Sequence, residues 1–359
     1  MISNRAKRVD TSGIRKVFDL AAKLKDPINL SIGQPNFPAF ETVKEKAILA
    51  INEDKSFYTP TQGNQELCAE IAKKYKEHAN SKVFLTSGVS AGLYLSYSIL
   101  LDPGDEILIP DPFFCIYRDL AYMINAEPVC YDTYPDFIPK IENLESLITK
   151  KTKAIVINSP SNPTGYALAS EQLKALTDFA KAKNLVVIYD EIYSEFVYDS
   201  EHVVPEYDNL IILNGFSKSA GVAGWRMAYV VAPEPFYSEM LKFQQYTFVC
   251  ANSIGQNSLI AALDYDFSEH LKDYKTKRDL IVEGLIGKYN FVKPGGAFYV
   301  FPEAPGGNAT NFVSKCVENN LLVVPGNVFS TKDTHFRISF SASIETLEKG
   351  IEVLRKLAS

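Results

Sequence analysis

The chain reads as an α/β protein: a large part built on a mostly parallel seven-stranded sheet flanked by helices, with a smaller α+β part beside it. Short, near-continuous Val/Ile/Leu runs recur through the middle of the sequence, the pattern of strands covered on both faces. Longer amphipathic stretches lie between several of these runs, as parallel crossovers require. At 359 residues, with 46% hydrophobic and 22% charged, the chain can bury a sizeable core and form two domains.

Strands are expected at residues 82–87, 106–109, 128–132, 154–158, 185–189, 209–213 and 227–231, each a run of β-formers. A helix over 90–101 ends at Asp102-Pro103-Gly104-Asp105, a stop and turn signal, and another over 170–183 opens on Ser170 as N-cap. Before residue 45 the chain is irregular and punctuated by proline. After about residue 265 a long polar helix pattern precedes strands near 297–301, 321–324 and 336–340. The expected division is a large domain at 45–265 and a small one made of 1–44 with 266–359.

Composition narrows the function. The net charge is −6 and no basic stripe occurs, so neither nucleic acid nor an anionic membrane is expected as a partner. The first ten residues are polar and basic without the apolar core of a secretory leader, and no apolar stretch is long enough to span a bilayer. Five scattered cysteines without a C-x-x-C pair argue against a disulfide framework or a zinc site. No metal site is expected, and the chain is expected in the cytoplasm.

Ligands of open parallel sheets bind beyond the C-terminal strand ends. Here those ends carry Gly88-Val89-Ser90, then Phe114, the run NSPSNPTG with Asn162, Asp190 and Tyr193, and Ser217-Lys218 followed by Arg226. Singly, each has an ordinary explanation: a loop Lys or Arg is usually a solvated charge, and an Asp before a helix is usually a cap. Together on one edge they suit one ligand. A helix start at Gly88, Val89 and Ser90 offers N–H groups and a hydroxyl to a phosphate, and Arg226 adds a charged fork. Phe114 offers a flat face, Asp190 a partner for a pyridine N–H, and Asn162 and Tyr193 hydrogen bonds to a ring oxygen. Lys218 can form an imine with an aldehyde once its amine is neutral. The set matches pyridoxal 5′-phosphate.

The chain resembles the fold-type I pyridoxal-phosphate enzymes of the aspartate aminotransferase superfamily, the class I/II aminotransferases. The resemblance runs through Ser12-Gly13-Ile14-Arg15, LSIGQPNFP at 30–38, YTPTQG at 58–63, the Gly88–Leu93 stretch, NSPSNPTG at 158–165 and DEIY at 190–193. It continues through SKSAGVAGWR at 217–226, PGGAFY at 294–299, PGNVF at 325–329 and RISF at 337–340. It implies that Lys218 holds the coenzyme as a Schiff base and shuttles the proton, with Asp190 on the pyridinium and Tyr193 and Asn162 on the ring oxygen. By the same likeness Phe114 stacks, Val89, Ser90 and Arg226 take the phosphate, and Tyr58 reaches it from the other subunit of a homodimer. Arg337 and the Gly33 backbone, helped by Asn162, receive the substrate α-carboxylate. Phe114 departs from the Tyr or Trp of many relatives, and Gly215 from a common phosphate-binding Ser, so part of that grip is expected to pass to Ser217.

The implied reaction is a ping-pong transfer of an amino group from an L-amino acid, aspartate-like or aromatic, to a 2-oxo acid such as 2-oxoglutarate. A carbon–sulfur β-lyase uses the same coenzyme residues. A more remote alternative is a serine hydrolase, because Gly88-Val89-Ser90-Ala91-Gly92 fits G-x-S-x-G with Ser90 as nucleophile. Arg15 is a candidate second cation for a dicarboxylate substrate.

Overall fold

A computed structural model describes residues 1–11, 13–15, 17, 22 and 24–358; Ser12 of the Ser12–Arg15 block lies outside them. Its main sheet has seven strands: β2 (Ser81–Thr86), β3 (Glu106–Asp111), β4 (Glu127–Asp132), β5 (Thr152–Asn158), β6 (Val186–Asp190), β7 (Leu210–Gly215) and β8 (Ala228–Pro233), in the order β2-β8-β7-β6-β5-β3-β4. Each lies within two residues of its expected place. Only β8 runs against the rest, pairing antiparallel with β2 and β7.

Alternation along the strands feeds two cores. Leu85, Leu108, Ile155, Ile157, Val187, Ile212 and Val231 face one side, where the helix Ser170–Ala182 covers them. Phe84, Ile107, Ile109, Val156, Ile188, Leu213 and Val230 face the other, beneath the helices Val89–Leu100, Ile116–Met123 and Phe236–Thr247. Both faces are apolar because both are covered, and each large side chain so buried contributes about 1.5–3 kcal/mol. Gly92 lets its helix approach closely: a methyl there would lie 2.9 Å from Leu213 and 3.1 Å from Val230.

The start of one helix differs from expectation. The helix Ser170–Ala182 is preceded by Ala169 as the capping residue, and Ser170 is its first turn residue. The Gln172 side chain reaches back instead, its Oε1 accepting from the Ala169 N–H at 2.8 Å.

The C-terminal third forms smaller sheets. β1 (Ile28–Asn29) pairs parallel with β10 (Leu321–Leu322), which joins the N-terminal segment to the C-terminal part. β11 (Val324–Pro325), β12 (Phe336–Ser339) and β9 (Tyr299–Val300) make a three-stranded antiparallel sheet in the order β11-β12-β9. The expected strand over 321–324 is thus two strands in different sheets, with Val323 between them. The helices Ser268–Leu285 and Ile344–Leu357 cover this part, burying Tyr274, Ile281, Leu347 and Leu354. None of the described helices is long and apolar enough to cross a membrane.

Candidate active site

The strand register gathers the site. Asn158 lies opposite Asp190, Asp190 opposite Leu213, and Gly215 opposite Ala228, which is also opposite Thr86. The parallel strands therefore end on one edge, and β8, running backwards, begins there. That reversal brings Arg226, just before β8, to the same rim as Gly88 and Ser217.

A cavity of about 310 Å³ opens at this rim, within the size range of small-ligand sites. Its wall includes Gly33, Val89, Ser90, Phe114, Asn162, Asp190, Tyr193, Ser217, Lys218, Arg226 and Arg337. Gly88 sits at its edge as the cap of the helix Val89–Leu100, with φ 82°. A side chain there would be strained and would collide with the Arg226 guanidinium. Arg226 itself is left-handed, at φ 58° and ψ 51°, and Nη1 donates to the Ala223 carbonyl at 3.1 Å. The turn thus holds a cation against bare backbone N–H groups, an anion cradle.

Asp190 is buried. Burial pushes its carboxyl up to about 6, against hydrogen bonds from the Tyr117 hydroxyl and the Ile192 N–H that pull it down. These bonds measure 2.7 Å and 3.2 Å. Lys218 Nζ donates to the Gly33 carbonyl at 2.6 Å. Burial lowers this amine to about 8, helped by Arg337 and Arg226 and opposed by Asp190. Arg337 is 1% exposed; Nη1 donates to Asn162 Oδ1 and Nη2 to the Ser31 carbonyl, both at 2.9 Å. Its Nε has no acceptor among the described residues. A buried guanidinium N–H without an acceptor is costly, and a ligand carboxylate would relieve it.

Two of the expected residues, Tyr58 and Arg15, stand apart from the wall. Tyr58 is 86% exposed and does not line the cavity. Arg15 is also exposed and off the wall, whereas its neighbour Ile14 lines it. Ser90 has no histidine beside it on the wall, so the nucleophile–base pair of a serine hydrolase is missing there.

The structure adds residues that the sequence reading passed over. Tyr117, in the first turn of the helix Ile116–Met123, lines the cavity with Phe114 and hydrogen-bonds Asp190. Tyr299 lay inside the PGGAFY block without a role; it lines the cavity and meets Tyr193 hydroxyl to hydroxyl at 2.9 Å. Phe329 lay in PGNVF and packs its ring 4.6 Å from the Arg337 guanidinium.

A family model described as aminotransferase class I and II matches residues 25–354. The chain belongs to the class I and II aminotransferases. A probable aspartate aminotransferase of Methanocaldococcus jannaschii is 36% identical over 99% of this chain and 100% of its own. The aspartate aminotransferase of Thermus thermophilus, solved with maleate, superposes with a TM-score of 0.94 at 29% identity, covering 99% of both chains. A Methanococcus jannaschii structure, described as similar in its active site to kynurenine aminotransferases, gives 0.92 at 30% identity over 100% of both.

This aminotransferase therefore uses pyridoxal 5′-phosphate, as its family does. The residues present fit that coenzyme: an anion cradle at Gly88 and Arg226, a buried carboxylate, an aromatic face and a buried amine share one wall. The hydrolase and β-lyase alternatives are not favoured, since the matching relatives are named aminotransferases.

Proposed function

We propose that Lys218 is the amine that carries the coenzyme covalently and moves the reacting proton in this aminotransferase. The observation behind this is the buried Lys218 amine on one wall with Asp190, Arg226 and the unpaired Nε of Arg337. Asp190 would hold the proton of the ring nitrogen, and Phe114 would lie against the ring face. Tyr193 and the Asn162 amide would donate to the ring oxygen. Asn162 Oδ1 already accepts from Arg337, which leaves its Nδ2 as the donor. Gly88, Val89, Ser90, Ser217 and Arg226 would bind the phosphate.

When bound, the coenzyme supplies an electron sink for the bond broken at the substrate α-carbon. Arg337, with Gly33 and Asn162, fixes the α-carboxylate and so orients the Cα–H. Freed Lys218 Nζ, neutral above about 8, accepts that proton and returns it. The mostly apolar rings and isoleucines around the amine exclude water from the transfer. The wall offers Ile14, Ile32 and Ile192 beyond these groups, which favours an aromatic donor alongside the aspartate-like one suggested by the named relatives. The acceptor is a 2-oxo acid such as 2-oxoglutarate.

The sequence expectation is a cofactor domain at 45–265 and a small domain of 1–44 with 266–359, a boundary the packing of one helix would move by a few residues. Val43 lies in the core of the large sheet, which favours a break just before the helix Glu41–Asn52. A homodimer is supported by the exposed Ile48, Ile51, Phe57, Tyr58 and Tyr246. The scattered cysteines, without a C-x-x-C pair, support a cytoplasmic setting.

The test is chemical. Borohydride treatment of the yellow holoenzyme should fix the coenzyme on position 218, located by peptide mapping. Lys218→Ala should still bind coenzyme but lose transamination by at least about 10³-fold. Label on another lysine, or retained turnover, overturns the assignment.

A further inference from the structure

Tyr299 stands where two parts of the cavity meet. β9 and β12 pair so that Ser339 lies opposite Tyr299, and Arg337, two residues before Ser339, shares its face of the sheet. The Arg337 guanidinium accordingly lies 4.5 Å from the centre of the Tyr299 ring. At the other end, the Tyr299 hydroxyl is 2.9 Å from that of Tyr193, and the two rings meet edge to face. A side chain at Gly33 would meet the same hydroxyl at 2.8 Å, so only bare backbone fits beside it.

Tyr299 is 1% exposed and Tyr193 4%, and each hydroxyl has the other as its hydrogen-bond partner among the described residues. In such a pair one phenol donates and the other accepts. Burial lifts both hydroxyls above the ordinary tyrosine range. The Arg337 guanidinium against its ring makes Tyr299 the better donor of the two. Tyr193 then accepts from Tyr299, and its own hydrogen is left for the cavity.

We propose that Tyr299 is a positioning residue that joins the two ends of the site: its ring seats Arg337, and its hydroxyl commits the Tyr193 hydrogen to the coenzyme's ring oxygen. This rests on the reading above that Tyr193 faces that oxygen. A hydrogen bond to the ring oxygen changes the pH at which the bound coenzyme's visible absorbance titrates, a property that simple packing would not move.

The experiment titrates the absorbance of wild type, Tyr193→Phe, Tyr299→Phe and the double variant, and measures KM and kcat for an amino donor. Tyr299→Phe, one atom smaller, should move the midpoint by about one pH unit in the same direction as Tyr193→Phe. The double variant should move no further than Tyr193→Phe alone. With the ring retained, KM should stay within about twofold, whereas Tyr299→Leu should raise it about tenfold. If Tyr299→Leu does not fold, Tyr299→Trp, which keeps an aromatic face but no phenol, should keep the KM and show the shifted midpoint. A wild-type midpoint in Tyr299→Phe, or an additive double variant, overturns the inference. If instead Tyr193→Phe itself titrates like wild type, the underlying reading of Tyr193 falls.

Discussion

Lys218 and Asp190 share one buried cavity and are each shifted toward neutrality, the amine down to about 8 and the carboxyl up to about 6. Because the folded amine is depressed, the folded protein binds fewer protons there than the unfolded chain above about 8, and stability rises with pH toward the ordinary lysine value. The same shift governs coenzyme capture, which needs the neutral amine. Below about 8 the capture rate by apoenzyme should rise about tenfold per pH unit and then level off. Asp190→Asn removes the one neighbour that raises the amine, so the plateau should begin at lower pH. Stopped-flow absorbance across pH 6 to 10 checks this; a plateau beginning only near 10 would contradict it. The gathering of Lys218, Asp190, Arg226 and Arg337 on one wall was legible in the sequence, because such chemically distinctive residue types stand out against a mostly apolar chain. Tyr117 and Tyr299 were not. The chain has 20 tyrosines, and what singles these two out is a partner 73 or 106 residues away, fixed only by packing.

Among the elements, the seven strands of the main sheet were legible because each is buried on both faces and its hydrophobic run is nearly continuous. The direction of β8 was not, since an antiparallel strand covered on both faces has the same composition as a parallel one. The two-residue strands β9, β10 and β11 are too short to carry a period. Ser170 misled because a serine one position inside a helix looks like one at its cap, and only the Gln172–Ala169 bond separates the cases. One contact between elements has a consequence for function. The Asp111 carboxylate, at the end of β3, accepts from the Ser330 hydroxyl and from the N–H (3.1 Å) and hydroxyl of Thr331, while the Phe113 N–H reaches the Phe329 carbonyl at 2.6 Å. These bonds staple the main sheet to the loop whose Phe329 ring lies against Arg337. Charge-assisted hydrogen bonds of this kind are each worth about 1.5–3 kcal/mol. Asp111→Ala should lower Tm by several degrees and raise KM for the amino donor about tenfold, with coenzyme affinity little changed. Equal losses in coenzyme and substrate binding would show that the staple serves the whole cavity and not the Arg337 side of it.

For the whole molecule, the decisive feature is what one copy of the chain leaves uncovered. Ile48 and Ile51 on the helix Glu41–Asn52, with Phe57, Tyr58 and Tyr246, are 57–88% exposed. Apolar groups so exposed in a cluster are costly in an isolated chain and are the usual surface for a second copy. Tyr58 carries the sharper consequence. A hydroxyl expected at the coenzyme phosphate lies outside the cavity wall of its own chain, and the proposed homodimer would bring it to a partner's cavity. Disrupting the surface should therefore damage coenzyme binding without touching the cavity. Ile48→Asp with Ile51→Asp should shift the protein from dimer to monomer in sedimentation, and the monomer should bind coenzyme about tenfold or more weakly, as the phosphate loses a hydrogen-bond donor. Tyr58→Phe, which leaves the surface apolar, should remain dimeric yet weaken coenzyme binding by a smaller factor. Mixing it with Lys218→Ala separates the roles. In a heterodimer one cavity then carries both lesions and the other neither, if Tyr58 crosses the interface; if it does not, each cavity carries one. About half the wild-type activity at wild-type coenzyme affinity is the outcome that crossing requires; half activity with the weakened affinity of Tyr58→Phe would return Tyr58 to its own chain.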